Sequence, residues 1–174
     1  MTLTAKMREQ VRRRANFACD FCGVTETSVG GELTIDHFQP ITRGGDDSPE
    51  NLVYCCHRCN QYKLDYWASN PGEPSLWNPR SEPAARHFFE LDDGTMHSIT
   101  ATGAFTIKRL RLNRPPLVAY RLQKKQQSEE VRLLTRYQEV IQLLEQLDSQ
   151  LILVMDEQRK LLEEQRELLR LLLR

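Results

Sequence analysis

Hydrophobic and polar positions alternate in short blocks over the first two thirds of the chain and merge into long stripes over the last third. Residues 4–14 read as a basic amphipathic helix with Thr4 available as its N-cap. Phe17 to Cys22 form a tight knuckle, and Gly30-Gly31 breaks the loop that follows. Leu33-Thr34-Ile35 is a β-prone run ending at Asp36-His37, and Leu52-Val53-Tyr54-Cys55 is a second one. Between them lies a turn-rich excursion from Pro40 through Asn51, with Gly44-Gly45-Asp46-Asp47 and Ser48-Pro49 as breakers. A helix is expected over about residues 60–68, ended by Ser69-Asn70-Pro71-Gly72. The order strand, loop, strand, helix is a ββα unit. Further on, Trp77-Asn78-Pro79-Arg80 reads as a loop over the core. Residues 87–91 and 96–100 read as a hairpin turning at Asp92-Asp93-Gly94, and residues 104–112 as a short helix stopping before Pro115-Pro116.

From residue 117 to 174 there is neither glycine nor proline. Leu134, Tyr137, Ile141, Leu144, Leu151, Met155, Leu162, Leu169 and Leu172 follow a 3-4 heptad spacing, interrupted at Asp148, Gln158 and Gln165. Val140, Leu147, Val154, Leu161 and Leu168 form a second stripe beside it, broader together than a two-stranded seam requires. A single helix here spans roughly 75 Å at about 1.5 Å per residue. Nothing in residues 1–116 is large enough to bury it, so it pairs with a copy of itself, folds back near Asp148-Ser149, or docks on a partner protein. A homodimer is the first expectation, from the general preference for symmetric assemblies. The fold class is therefore α+β in three parts: a small core over 1–70, a hairpin and helix extension over 71–116 packed on it, and a helical tail over 117–174.

Composition adds that 40% hydrophobic and 28% charged residues suit a folded chain rather than a disordered one. Net charge is zero, but its distribution is uneven. Lys6, Arg8, Arg12, Arg13 and Arg14 oppose a single Glu9, and residues 108–125 hold seven basic side chains and no acid. Each cluster reads either as phosphate contacts or as a solvated helix face. No signal peptide opens the sequence and no apolar run suits a membrane span, which points to the cytoplasm. There, paired cysteines more often hold metal than form disulfides.

Two Cys-x-x-Cys pairs, Cys19/Cys22 and Cys56/Cys59, stand 33 residues apart. The two-residue spacing lets both sulfurs of a pair reach one ion, so the four read as a structural zinc (Zn²⁺) clamp with no open coordination position. Cys55 is left as a small buried hydrophobe. Between the pairs lie Asp36, His37 and Asn51, and the second pair runs straight into Asn60, a set suited to phosphodiester hydrolysis: a histidine to activate water and oxygen ligands for Mg²⁺. Neighbouring residues on a strand face opposite ways, so Asp36 and His37 share a site only if the chain turns there, as Phe38-Gln39-Pro40 allows.

Ile35-Asp36-His37-Phe38-Gln39-Pro40, Gly44-Gly45, Pro49-Glu50-Asn51-Leu52 and Cys56-His57-Arg58-Cys59-Asn60-Gln61-Tyr62-Lys63 resemble, in order and spacing, an HNH endonuclease of the zinc-knuckle subgroup with a ββα-metal core. The resemblance covers about residues 10–68. It implies that His37 is the general base, Asp36 and Asn60 are ligands of a catalytic Mg²⁺ or Mn²⁺, and Asn51 pins the excursion so that the histidine is aimed. Lys63 falls where such nucleases place a cation near the phosphate. DNA is the implied substrate, with Arg43, Arg58, Lys63, Arg109, Arg111 and Arg114 as candidate contacts. Residues 77–120 resemble, more weakly, an extension of bacterial HNH proteins. His57 is expected to take no part in zinc or DNA binding, and His87 and His97 are expected to be packing or surface residues. The competing readings are a non-catalytic zinc module binding nucleic acid or protein, and a nuclease subunit of a larger defence or mobile-element complex.

Overall fold

The computed structural model describes residues 3–173. They form two compact units, one ending at Lys124 and the other beginning at Lys125.

The first unit opens with α1, Ala5–Arg14, capped by the Thr4 hydroxyl, which accepts from the Met7 amide at 3.2 Å. Much of its basic surface is committed inside the protein. Arg12 pairs with Glu26 at 2.6 Å, Arg13 with Glu9 at 2.6 Å, and Arg14 donates to the Pro49 and Leu52 carbonyls, each at 2.6 Å. A short α2, Glu26–Val29, follows the first knuckle and ends at Gly30, whose φ of 74° supplies the left-handed cap.

Strands β1, Thr34–His37, and β2, Leu52–Cys55, pair antiparallel, with Thr34 opposite Cys55 and His37 opposite Leu52. The helix after them, α3, spans His57–Lys63, not residues 60–68. It starts early because Cys56 is its N-cap, its sulfur accepting from the Cys59 amide at 3.5 Å. It stops at Lys63 because Leu64 takes a φ of 52°. The ββα unit is thus present with its helix displaced toward the knuckle.

Strands β3, Phe88–Glu90, and β4, Met96–Ser98, form the expected hairpin. Helix α4, Ala101–Arg109, begins three residues before the expected start because the Thr100 hydroxyl caps it, accepting from the Gly103 amide at 3.0 Å. Helix α5, Pro115–Leu172, begins on the prolines that were expected to precede it. A first-turn proline lacks only an amide hydrogen that the helix does not use there.

One core joins the extension to the cysteine clamp. Trp77 is buried between Phe21 and Phe88, its ring edge-on to both at 6.4 and 5.2 Å. Leu110, Leu112 and Leu117 are fully buried in the same cluster as Cys19, Cys56 and Cys59. Each such side chain stabilises by about 1.5–3 kcal/mol.

The second unit is the remainder of α5, continuous through Asp148 and Ser149. The Ser149 hydroxyl donates back to the Glu145 carbonyl at 2.8 Å, so no fold-back occurs there. Its leucines are exposed, Leu134 by 62% and Leu161 by 57%. Among the described residues no helix is long and apolar enough to cross a membrane.

Candidate metal centre and active site

The sulfurs of Cys19, Cys22, Cys56 and Cys59 all lie within 4.8 Å of one another, and all four residues are buried. Four sulfurs at about 2.3 Å from one tetrahedral ion stand about 3.8 Å apart; Cys22 and Cys56 are separated by 3.7 Å. The donor set and its spacing fit zinc. Burial, reinforced by Cys22, pushes the Cys19 thiol well above its ordinary range. A divalent cation would make four thiolates tenable together here. The Arg114 guanidinium adds charge, 4.0 Å from the sulfurs of both Cys56 and Cys59. Cys55, fully buried beside Thr34, stands apart from the cluster, its thiol pushed up to about 12 by burial and by the charge of Asp36.

The knuckles are sutured to β2. The Asp20 amide donates to the Tyr54 carbonyl, and the Asp20 carboxylate accepts from the Tyr54 amide, both at 2.7 Å. Arg80, in the Trp77 loop, pairs with the other Asp20 oxygen at 2.6 Å. The Tyr54 hydroxyl donates to Glu26, which Arg12 grips from the other side. Arg12 holds the Glu26 carboxyl down at about 2, against its ordinary 4.5.

Asp36 faces α3. The fully buried Lys63 ammonium lies 2.8 Å from Asp36 Oδ2 and donates to the His37 carbonyl at 2.8 Å. Oδ2 is buried, and among the described residues it has no hydrogen-bond partner, since the approach from Lys63 falls outside hydrogen-bond geometry. We take the contact as an ion pair. Lys63, expected as a cation near the phosphate, is fully buried and ties β1 to α3.

Asn60 lies one turn before Lys63 and therefore on the same face of α3. It is interior to the helix rather than at its cap, and its side-chain amide makes no hydrogen bond among the described residues. An under-satisfied buried carboxylate oxygen and an unbonded amide on the helix tied to it suit a hard divalent cation.

The His37 side chain points toward the excursion, where Nε2 lies 2.7 Å from Asp47 Oδ1. Asp36 and His37 both sit in regular β1 register, opposite Val53 and Leu52, and as strand neighbours their side chains meet different partners, Lys63 for Asp36 and Asp47 for His37. Asn51 pins the excursion: its Oδ1 accepts from the Gln39 amide at 2.7 Å, and its Nδ2 donates to the carbonyls of Gln39 at 3.0 Å and Asp46 at 2.8 Å. Gly45 makes this approach possible, since a Cβ there would sit 1.9 Å from the Gln39 carbonyl oxygen.

The basic candidates separate. Arg43, Arg58 and Arg111 are exposed. Arg109 donates to the Lys63 carbonyl at 3.2 Å and lies over the Tyr66 ring, while Arg111 and Arg114 both lie over Tyr62. Arg109 and Arg114 thus brace α3 rather than present free charge. His57 and His97 are exposed, and His87 is buried between Thr100 at 2.7 Å and Glu82 at 2.6 Å. Sequence reasoning missed Asp47 and the inward role of Arg114. Asp47 lay within a run of breakers that reads as solvent-facing turn, and its only signal was a carboxylate ten residues after the histidine.

Residues 19–65 match the family model described as HNH endonuclease. Over 97 residues, 55% of the chain, the sequence is 33% identical to the CRISPR-associated endonuclease Cas9 of Corynebacterium diphtheriae, and the match covers 8% of that protein. No solved structure matches the chain.

Proposed function

We propose, on the premise that this chain carries an HNH endonuclease domain at residues 19–65, that it hydrolyses phosphodiester bonds of DNA in a reaction requiring Mg²⁺ or Mn²⁺. The observation that carries the reading is the fastening of Asp36 and His37 to the helix bearing Asn60, through Lys63, within the matched span.

His37 activates the attacking water by taking its proton. Asp36 and Asn60 would hold the divalent cation, which when bound would neutralise charge on the scissile phosphate and the departing 3′ oxygen. Asn51 keeps the excursion closed beside His37. The cysteine clamp holds zinc and takes no part in the reaction. Arg43, Arg58 and Arg111 are the exposed cations left to position a phosphate backbone, a role that carries no base sequence information. The free buried cysteines fit a reducing compartment such as the cytoplasm.

One such site cuts one strand. The exposed leucines beyond Lys125 support self-association of the tail, which gives a dimer two sites for paired cuts. Docking of the same stripes on a larger complex is the competing assignment.

The test is nicking of supercoiled plasmid with Mg²⁺ or Mn²⁺. His37→Ala is expected to abolish it while zinc content and the circular dichroism spectrum persist. A wild-type chain that cuts DNA with neither cation, or a His37→Ala chain that cuts as well as wild type, sinks the reading.

A further inference from the structure

The geometry points to Asp47 as the carboxylate that orients the His37 imidazole, with Asn51 setting both halves of the pair. The inference rests on the nuclease reading of His37 and adds to it a positioning residue outside the Asp36, His37, Asn51 and Asn60 set.

The contact between His37 Nε2 and Asp47 Oδ1, at 2.7 Å, is at the short end for an N–H···O bond, as charge-assisted bonds are. A carboxylate only accepts, so Nε2 carries the hydrogen and Nδ1 is left as the nitrogen with a free lone pair. The tautomer is thereby chosen by Asp47. The side chains are 23% and 30% exposed, shielded enough for the bond to hold and open enough for water to reach the ring.

Asp47 is held there from both sides. Asn51 donates from Nδ2 to the carbonyl of Asp46 at 2.8 Å and from its amide to the carbonyl of Ser48 at 3.0 Å, the two residues flanking Asp47. Asp46 closes the same turn by accepting from the Ser48 amide at 3.2 Å and hydroxyl at 2.6 Å. Toward the histidine, the Asn51 carbonyl accepts from the Phe38 amide at 2.7 Å, and its side chain grips Gln39. A single asparagine thus fixes the residues that follow His37 and those that bracket Asp47. The distance between base and carboxylate is set by the backbone and side chain of one residue, Asn51, with the Asp46 side chain closing the turn.

In the reaction, a water proton passes to Nδ1 while the water oxygen bonds phosphorus. The bond from phosphorus to the leaving 3′ oxygen breaks, and that oxygen takes a proton from solvent. The ring becomes an imidazolium, and the Asp47 carboxylate stabilises its charge as it forms, which lowers the barrier to proton removal.

The experiment compares Asp47→Ala, Asp47→Asn and Asp47→Glu in the full chain. Rates are read by plasmid nicking, and the His37 tautomer by ¹⁵N imidazole shifts of the neutral ring. Wild type is expected to show the Nε2–H form, and Asp47→Ala a mixture of both. Turnover should fall at least about 10-fold, and by no more than the roughly 10²–10⁴-fold that the positioned base itself contributes. KM should change by less than about threefold, because a group acting in the transition state alone leaves ground-state binding intact. Asp47→Glu should recover part of the rate, and zinc content should stay at the wild-type level. Asp47→Asn, equal in size to the original, keeps the test valid if the alanine variant folds poorly. Wild-type turnover in both the Ala and Asn variants, or an undiminished Nε2–H signature in Asp47→Ala, overturns the proposal. If the wild-type chain never cuts, the nuclease reading fails, while the tautomer comparison still upholds or overturns the pair.

Discussion

The Lys63 ammonium sits between the Asp36 carboxylate and the His37 carbonyl, 2.8 Å from each, so one buried cation fastens the Asp-His step of β1 to α3. Lys63→Met removes the charge while keeping much of the volume. Orphaning a partner in a fully buried pair costs about 3–5 kcal/mol. Asp36 is 21% exposed, and partial solvation reduces the expected loss to about 2–3 kcal/mol. Urea titration of both proteins measures it. A loss below about 1 kcal/mol would mean that water already satisfies Asp36 and that the tie is dispensable.

The five cysteines should react in two classes. With zinc bound, none is expected to react with a thiol reagent under native conditions, since all five are buried. Chelation should expose Cys19, Cys22, Cys56 and Cys59 together, with loss of the near-ultraviolet signal from Trp77, which shares their core. Cys55 should follow only on unfolding, because burial and Asp36 hold its thiol up at about 12. Release of one zinc ion per chain on titration with a mercurial checks the stoichiometry.

Acid stability should respond to Glu26. Its carboxyl is held at about 2 in the folded chain by Arg12, against an ordinary value of 4.5. A folded value below the unfolded one means that the contribution is complete above about pH 4.5. It is lost as pH falls from there toward 2, where the unfolded chain binds the proton more readily. Glu26→Gln should lower stability at neutral pH, and its deficit relative to wild type should shrink between pH 4.5 and 2. Thermal melts across that range decide it; a deficit independent of pH would assign the effect to packing instead.

Gly45→Ala should damage activity without disturbing the metal clamp. The added carbon would meet the Gln39 carbonyl oxygen at 1.9 Å and Asn51 Nδ2 at 2.9 Å, so the excursion must move away from the strand end. Zinc content should match wild type while plasmid nicking drops by about 10-fold or more, as expected when a reacting group is displaced by about 1 Å. Unchanged nicking would show that the excursion tolerates the shift.

The tail should govern assembly. Substituting serine for Leu144, Leu151 and Leu161, each more than half exposed, is expected to reduce the sedimenting mass to that of a monomer. Zinc content should not change. A wild-type chain that already sediments as a monomer at micromolar concentration would remove self-association and favour a different protein partner.

What the sequence made legible was whatever local chemistry dictates. The Cys-x-x-Cys pairs, the β1 and β2 runs and the Asp92-Asp93-Gly94 hairpin are written in spacing and alternation, and the structure places them as expected. The start of α3 was not legible, because a cysteine at the N-cap position is a weak cap and the knuckle itself proved to be the first turn. The burial of Lys63 was not legible for a different reason: its partner, Asp36, lies 27 residues away. Asp47 was hidden by its company, since Gly44-Gly45-Asp46-Asp47 has the composition of any exposed turn. The inward contacts of Arg109 and Arg114 were not legible because charge is visible in sequence and the tyrosine rings beneath it are not. In each miss, a tertiary contact decided what local pattern left open.

Helix α3 is only seven residues long, and with Cys56 as its N-cap it carries the Cys59 sulfur of the clamp, the Asn60 amide and the Lys63 ammonium. Those parts have no independent adjustment. A shift that relieves the sulfurs is passed undiminished to the amide and the ammonium within two turns. The clamp therefore acts as a tolerance gauge for the proposed site: a different ion radius, or oxidation of Cys56 or Cys59, is expected to reach Asn60 and Lys63 first, because they share one short helix with the clamp.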